Sequence, residues 1–265
     1  MDPLTAYDMP QFIPDADAYP DRWADEAAAW RSLEAAIGRA RLNQPYGPHD
    51  RHRFDLFYPA GRPAGLVVYV HGGYWRRFDR KLWSHFAAGA TASGWAVAMP
   101  SYPLAPEARI AEITSDIARA IAAAADLVGG PLILTGHSAG GHLVARMAEA
   151  RGPLPGPVAA RLQCVVPISP LGDLRPLLAV PINTVLHLDM AEAVAESPAL
   201  RAPRPGLPVT IWVGAEERPV FLDQAMDLAA AWNARLRMAP GCHHFDVIDG
   251  LCVPDSPLTR SLFTD

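Results

Sequence analysis

Apolar residues follow two rhythms along the chain, and the alternation between them predicts the architecture. Short runs rich in β-branched residues read as strands buried on both faces: LVVYV at 66–70, WAVAMP at 95–100, PLILTG at 131–136, LQCVVPIS at 162–169 and VTIWVG at 209–214. RFDLFYP alternates and reads as another strand, and RLRMAP as the last. Between them the spacing changes to threes and fours. Trp23, Ala27, Trp30, Leu33 and Ile37 predict an amphipathic helix over 21–41. Helical spacing recurs over 80–93, 106–127 and 139–151, after VTIWVG through Trp232, and briefly over 256–263. Gly129-Gly130 and Gly152-Pro153 end two of these helices. Strands alternating with helices call for a mostly parallel central sheet flanked by helices on both faces.

Two stretches break this alternation. Residues 1–20 are rich in Pro, Asp and Tyr without a period, and read as an extended arm laid over the body. Residues 170–205 are proline-rich with short helical pieces; an excursion that long inside a compact unit reads as a small functional cap between two strands. With no repeat and no low-complexity linker, the expectation is one domain over 1–265, opening with an arm and helix over 1–41.

Composition narrows the class. The 265 residues suffice for a large core. With 50% hydrophobic and 19% charged residues, wholesale disorder is excluded. Lys and Arg total 23 against 28 acidic residues, and the net charge of −5 argues against a nucleic-acid partner. Cys164, Cys242 and Cys252 are widely spaced, so neither a disulfide framework nor a zinc ribbon follows. No apolar stretch reaches the roughly 18 residues of a membrane span, and MDPLTAYDMPQF lacks the basic and apolar regions of a signal peptide. The expectation is a cytoplasmic protein with no membrane partner, no metal and no cofactor. Its partners would be a small-molecule substrate and, at most, a second copy of the chain.

Three motifs carry chemistry. Gly136-His137-Ser138-Ala139-Gly140 matches G-x-S-x-G, with a strand before it and a helix after it. A serine nucleophile needs such a turn, because glycines two before and two after remove Cβ atoms that would clash. His71-Gly72-Gly73-Tyr74-Trp75 directly follows LVVYV. Acyl transfer develops charge on a carbonyl oxygen, and the amides of Gly72, Gly73 or Tyr74, with Ala139, are the candidate donors. The third motif supplies base and acid. Of the histidines beyond Ser138, His142 lies one helical turn on and His187 falls in the cap, leaving His243 and His244. Only one of two neighbours can face the serine; His244 is preferred. The acid should follow VTIWVG, where Glu217 is preferred over Glu216 and Asp223. Cys242-His243-His244 cannot converge on one ion, which argues against a metal site. Tyr74, Trp75 and Tyr102 are the candidate pocket-lining aromatics.

Taken together, HGGYW, SYPLAPE, GHSAGGHL, SPLGDLRPL, VGAEERPVFLDQ and HHFDVIDGL resemble the α/β-hydrolase superfamily. More narrowly they look like its kynurenine formamidase (arylformamidase) branch, near the hormone-sensitive-lipase-like esterases. The resemblance spans about residues 45–252, most of the chain. It implies the α/β-hydrolase fold and a serine hydrolase acting on a small ester or aryl formamide. It places the nucleophile on Ser138, the acid on Glu217 and the base on His244. The family usually has aspartate at the acid position, so Glu217 departs from its pattern.

Overall fold

The computed structural model describes residues 3–263 of the chain. Eight strands are formed by Ala40–Pro45 (β1), Arg53–Phe57 (β2), Leu66–Val70 (β3), Ala96–Pro100 (β4), Leu132–His137 (β5), Leu162–Ile168 (β6), Thr210–Gly214 (β7) and Arg235–Ala239 (β8). They make one sheet in the order β1-β2-β4-β3-β5-β6-β7-β8. β2 runs antiparallel to both its neighbours, and every other pairing is parallel. The main helices are Tyr19–Ala36 (α1), Ile110–Leu127 (α2), Ala139–Met147 (α3) and Pro219–Trp232 (α4).

Every residue of β3, β4 and β5 is buried, because layers cover both faces of the sheet. The two-residue period sorts their side chains. Leu66, Val68 and Val70 pack with Ile113 and Ile117 of α2, Leu143 of α3 and Leu228 of α4. Val67 and Tyr69 point the other way, toward Trp23 of α1, Phe86 and Leu258.

The structure departs from the expected elements in four places. Gly38, at φ +71°, ends α1 before residue 41, and the chain turns into β1. β1 alternates half-buried with exposed positions at the sheet edge, so ARLNQP lacks the apolar run that marks the inner strands. Leu33 and Ile37 stay exposed, so only the Trp23–Ala27 end of the expected stripe is buried. Residues 80–93 form 3₁₀ turns at Arg80–Leu82 and Ser84–Ala87 and a short helix at Ala88–Ala92. Finally, the segment before α1 is not extended. It folds into a helical turn at Pro3–Ala6 and 3₁₀ turns at Pro10–Phe12 and Ala16–Ala18, and buries Ala6, Met9 and Ile13. No helix among the described residues is long and apolar enough to cross a membrane.

Residues 170–205 hold short helical pieces, including Asn183–Leu186 and Met190–Ala195, as their spacing suggested. They are anchored by Glu196, a buried carboxylate. It accepts from Thr114 Oγ1 at 2.7 Å and from Arg146 Nε at 3.1 Å, and its carbonyl meets His142 Nε2 at 2.7 Å. Burial pushes the Glu196 carboxyl up, but Arg146, His142 and Thr114 outweigh it and hold the group below the usual carboxylate range. Removing Glu196 takes from Arg146 one of its two carboxylates, the other being Glu149, and leaves the buried Thr114 hydroxyl without its acceptor. Glu196→Ala is therefore expected to destabilise the fold by roughly 1–3 kcal/mol in urea unfolding. Arg22→Ala, which breaks an exposed 3.7 Å contact with Asp249, should change stability by less than about 1 kcal/mol. Equal effects would contradict the anchoring role.

Candidate active site

Parallel strands in register bring the expected residues to one edge of the sheet. β3 and β5 are neighbours, with Val70 opposite Gly136. The turn after β3 and the turn after β5 therefore touch: a Cβ on Gly72 would lie 2.8 Å from the His137 carbonyl and 3.1 Å from the Ser138 Cβ. Ser138 occupies a conformation that side-chain-bearing residues rarely adopt, φ 56° and ψ −118°, directly before α3. Its glycines permit this. A Cβ on Gly140 would stand 1.9 Å from the Val70 carbonyl, and one on Gly136 would stand 2.5 Å from the Gly140 carbonyl. Such contacts are closer than any atoms pack, which is why the pattern demands glycine at both positions.

The next turn stores more unusual backbone. Gly73 has φ +110°, and Tyr74, Trp75 and Phe78 also have positive φ. It is held by the Arg76 and Arg77 amides donating to the Gly73 carbonyl, and by Ala105 N donating to the Trp75 carbonyl at 2.8 Å. Among the described residues no acceptor takes the Gly73 or Tyr74 amide. The Ala139 amide opens α3, where first-turn N–H groups lack intrahelical partners. Behind this turn, Tyr102 stacks on His71 at 4.5 Å and donates to its carbonyl at 3.0 Å.

The strand ends of β6, β7 and β8 gather the remaining groups. His244 Nδ1 lies 2.6 Å from Glu217 Oε2, and both residues are buried. The other Glu217 oxygen accepts from Gly214 N at 2.9 Å and from the Ser169 hydroxyl. Glu216 is exposed, with its amide on the Cys242 carbonyl. His243 faces away toward α1, its Nε2 3.1 Å from the Tyr19 hydroxyl. His142 is occupied by Glu196 as described, and His187 is exposed.

Ser138, His137 and His244 line a cavity of about 90 Å³. Gly73 and Tyr74 form one side, and Trp23, Phe78, Trp83 and Phe245 form an aromatic wall. Met9 and Pro10 of the N-terminal segment complete it. That segment is pinned there: Tyr74 donates to the Tyr7 carbonyl at 2.7 Å, and the Arg218 guanidinium lies 3.4 Å from the Phe12 ring centroid. A second groove, of about 340 Å³, shares Met9, Pro10, Tyr74 and Arg77 with the first and is bordered by Val180, Ile182 and Val185.

Two expectations are corrected here. Residues 170–205 do not line the cavity beside Ser138; among the described residues the N-terminal segment does, and 170–205 borders only the outer groove. Of the three aromatics, only Tyr74 lines the cavity. Trp75 is fully buried and meets His142 edge-on at 5.1 Å, and Tyr102 is fully buried beneath His71. Consecutive left-handed residues at 74 and 75 send one side chain to the cavity and the next into the core. Sequence reasoning missed Ser169, Met9 and Trp23. Ser169 had a signal, since it ends a buried strand at this same edge. Met9 and Trp23 lie far from every motif and had none. A larger hollow of about 740 Å³ along β8 contains neither Ser138, Glu217 nor His244.

The chain belongs to the alpha/beta hydrolase fold family, whose model matches residues 67–239. It is a hydrolase, and the curated proteins it resembles include kynurenine formamidases. It is 27% identical over 246 residues to the kynurenine formamidase of Salmo salar, covering 86% of this chain and 83% of that one. It is 25% identical to that of Drosophila melanogaster, over 80% of this chain and 77% of that one. Among solved structures, a candidate thioesterase from Silicibacter sp. TM1040 superposes with a TM-score of 0.96 and 52% identity over the whole of both chains. Esterase B from Lactobacillus rhamnosis shares the fold, with a TM-score of 0.67 and 17% identity over 90% of this chain and 92% of that one.

Two buried histidines, His71 after β3 and His142 on α3, make stability fall in acid. Burial pushes His71 and His142 down to about 4, although the Gly72 carbonyl and Glu196 act in the opposite sense. Both stay neutral when folded and take up protons on unfolding, so the unfolded chain binds more protons as pH falls below about 6.5. Stability is then full above that value and is lost progressively toward about 4. The urea midpoint is expected to fall steadily over this interval. A flat midpoint would contradict neutral burial.

Proposed function

We propose that the chain is a serine hydrolase cleaving a small carboxylic ester or an aryl formamide of the N-formylkynurenine type, and that it works as one domain. The observation that carries the reading is the buried His244–Glu217 hydrogen bond in a site whose cavity also holds Ser138. In this mechanism Ser138 Oγ attacks the carbonyl carbon while His244 Nε2 takes its proton. His244 Nδ1–H donates to Glu217 Oε2, which fixes the tautomer and steadies the imidazolium. The amides of Gly73, Tyr74 and Ala139, with Gly72 allowing the close approach, receive the oxyanion. His244 returns the proton to the leaving oxygen or nitrogen, leaving an acyl-enzyme on Ser138. Water, deprotonated by His244, then releases the acid.

The size of the cavity argues for a short acyl group. At about 90 Å³, between the Gly73–Tyr74 turn and the wall of Trp23, Phe78, Trp83 and Phe245, it suits a formyl or acetyl group better than a long chain. A thioester presents the same carbonyl, and the similarity to the Silicibacter candidate thioesterase favours including one as a second reading.

Ser138→Ala is expected to lower kcat by about 10⁴-fold or more with the fold intact. Glu217→Gln should cost a comparable factor by disfavouring the required tautomer, whereas Glu216→Gln should retain activity. The reverse order of the two glutamates would move the acid by one residue. Among p-nitrophenyl esters, acetate should exceed decanoate in kcat/KM by at least about tenfold. A preference for decanoate would overturn the small-acyl reading. N-formylkynurenine and an acetyl thioester in the same panel separate formamide from thioester cleavage.

A further inference from the structure

If a small acyl group fills the inner cavity, the leaving group must extend into the outer groove, and two arginines stand there. The chain leaves the oxyanion turn as Trp75-Arg76-Arg77-Phe78. Backbone bonds of 3.1 and 3.0 Å to the Gly73 carbonyl fix Arg76 and Arg77 relative to that turn. Arg77 borders both the cavity and the groove, and Arg76 borders the groove. Both are exposed, and among the described residues neither guanidinium has an ion pair or hydrogen bond. Arg77 only lies over the Phe78 ring, at 5.6 Å.

Exposed arginines elsewhere, such as Arg62 and Arg151, are also unpaired among the described residues; what sets Arg76 and Arg77 apart is their place beside the turn after β3 and on the groove. The single acid on the groove, Asp8, accepts from Gln11 Nε2 at 2.5 Å. The groove therefore carries two cations against one anion, in a protein whose net charge is −5. Its far wall, Val180, Ile182 and Val185, is apolar. An apolar wall facing a pair of cations suits an amphipathic anion.

We propose that the outer groove receives the leaving group and that Arg77, with Arg76, binds a carboxylate or phosphate carried on it. The inference rests on the serine-hydrolase reading. A guanidinium presents several donors in one plane and matches the paired oxygens of either anion. It lies on the leaving-group side, so it selects among substrates without taking part in the bond changes at Ser138.

Two matched pairs test it: 4-acetoxybenzoate against its methyl ester, and S-acetyl-4′-phosphopantetheine against its dephosphorylated form, each corrected for its hydroxide-catalysed rate. The anionic member of at least one pair should be preferred about tenfold in kcat/KM, chiefly through KM, and the preference should shrink at high salt. The pair that responds identifies carboxylate or phosphate as the source. Arg76→Ala with Arg77→Ala should abolish the preference, and Arg77→Lys should keep part of it. Equal or better use of the neutral member in both pairs overturns the proposal and leaves the hydrolase reading standing. If the wild-type protein hydrolyses none of the four and leaves N-formylkynurenine intact as well, both readings fall; if it cleaves N-formylkynurenine alone, a KM for that carboxylate-bearing substrate unchanged by the double substitution overturns the proposal.

Discussion

The site depends on keeping a carboxylate dry. Glu217 has no exposed side-chain surface, and an isolated carboxylate in that position would cost far more than a fold can spare. It is tolerated because three donors reach it: His244 on one oxygen, the Gly214 amide and Ser169 hydroxyl on the other. Gly214 ends β7, Ser169 directly follows β6, and His244 lies in the loop after β8. They converge because β6, β7 and β8 are parallel and neighbouring, with Ile168 opposite Trp212 and Gly214 opposite Ala239. The loop bearing His244 also has to come close. A Cβ on Gly214 would lie 2.3 Å from the Cys242 carbonyl, so glycine there lets the imidazole reach the acid. Sheet register, one glycine and one buried ion thus define a single arrangement.

The same economy explains what was readable in advance. β3, β5 and β7 are buried on both faces and print as unbroken apolar runs. Ser138, His71–Gly73 and Glu217 each follow such a run directly, so strand ends and motifs could be found together. β1 was not legible because an edge strand shows alternating exposure and offers no apolar run. Glu217 over Glu216 and His244 over His243 are preferences from position alone; the buried hydrogen bond that joins the preferred pair is visible only in the structure, because neighbouring residues differ by which way a turn points. Trp75 was misjudged for a related reason. Its placement follows from a left-handed backbone at an aromatic residue, which nothing in the residue type announces.

The largest departure concerns what bounds the cavity. The long proline-rich excursion looked like the natural cover for the nucleophile, yet its Glu196 anchor ties it to α2 and α3. The N-terminal segment takes the position beside Ser138 instead, tethered through Tyr7 and Phe12. An aperiodic stretch close to the start of a chain carries no pattern from which such a role could be read, since its tethers come from residues more than sixty positions away. The result is a small inner cavity and a wider outer groove meeting at Tyr74 and Arg77, a division that the proposed mechanism uses to part the acyl group from the leaving group.

The claim on which all of this turns is that Ser138 is the nucleophile activated through His244. Treating the active protein with a fluorophosphonate and mapping the adduct by mass spectrometry addresses it directly. The account predicts stoichiometric phosphonylation of Ser138 in step with loss of hydrolysis, and none at comparable rate in His244→Ala. Full inactivation with the adduct on another residue, or labelling of Ser138 that leaves hydrolysis unchanged, would contradict it.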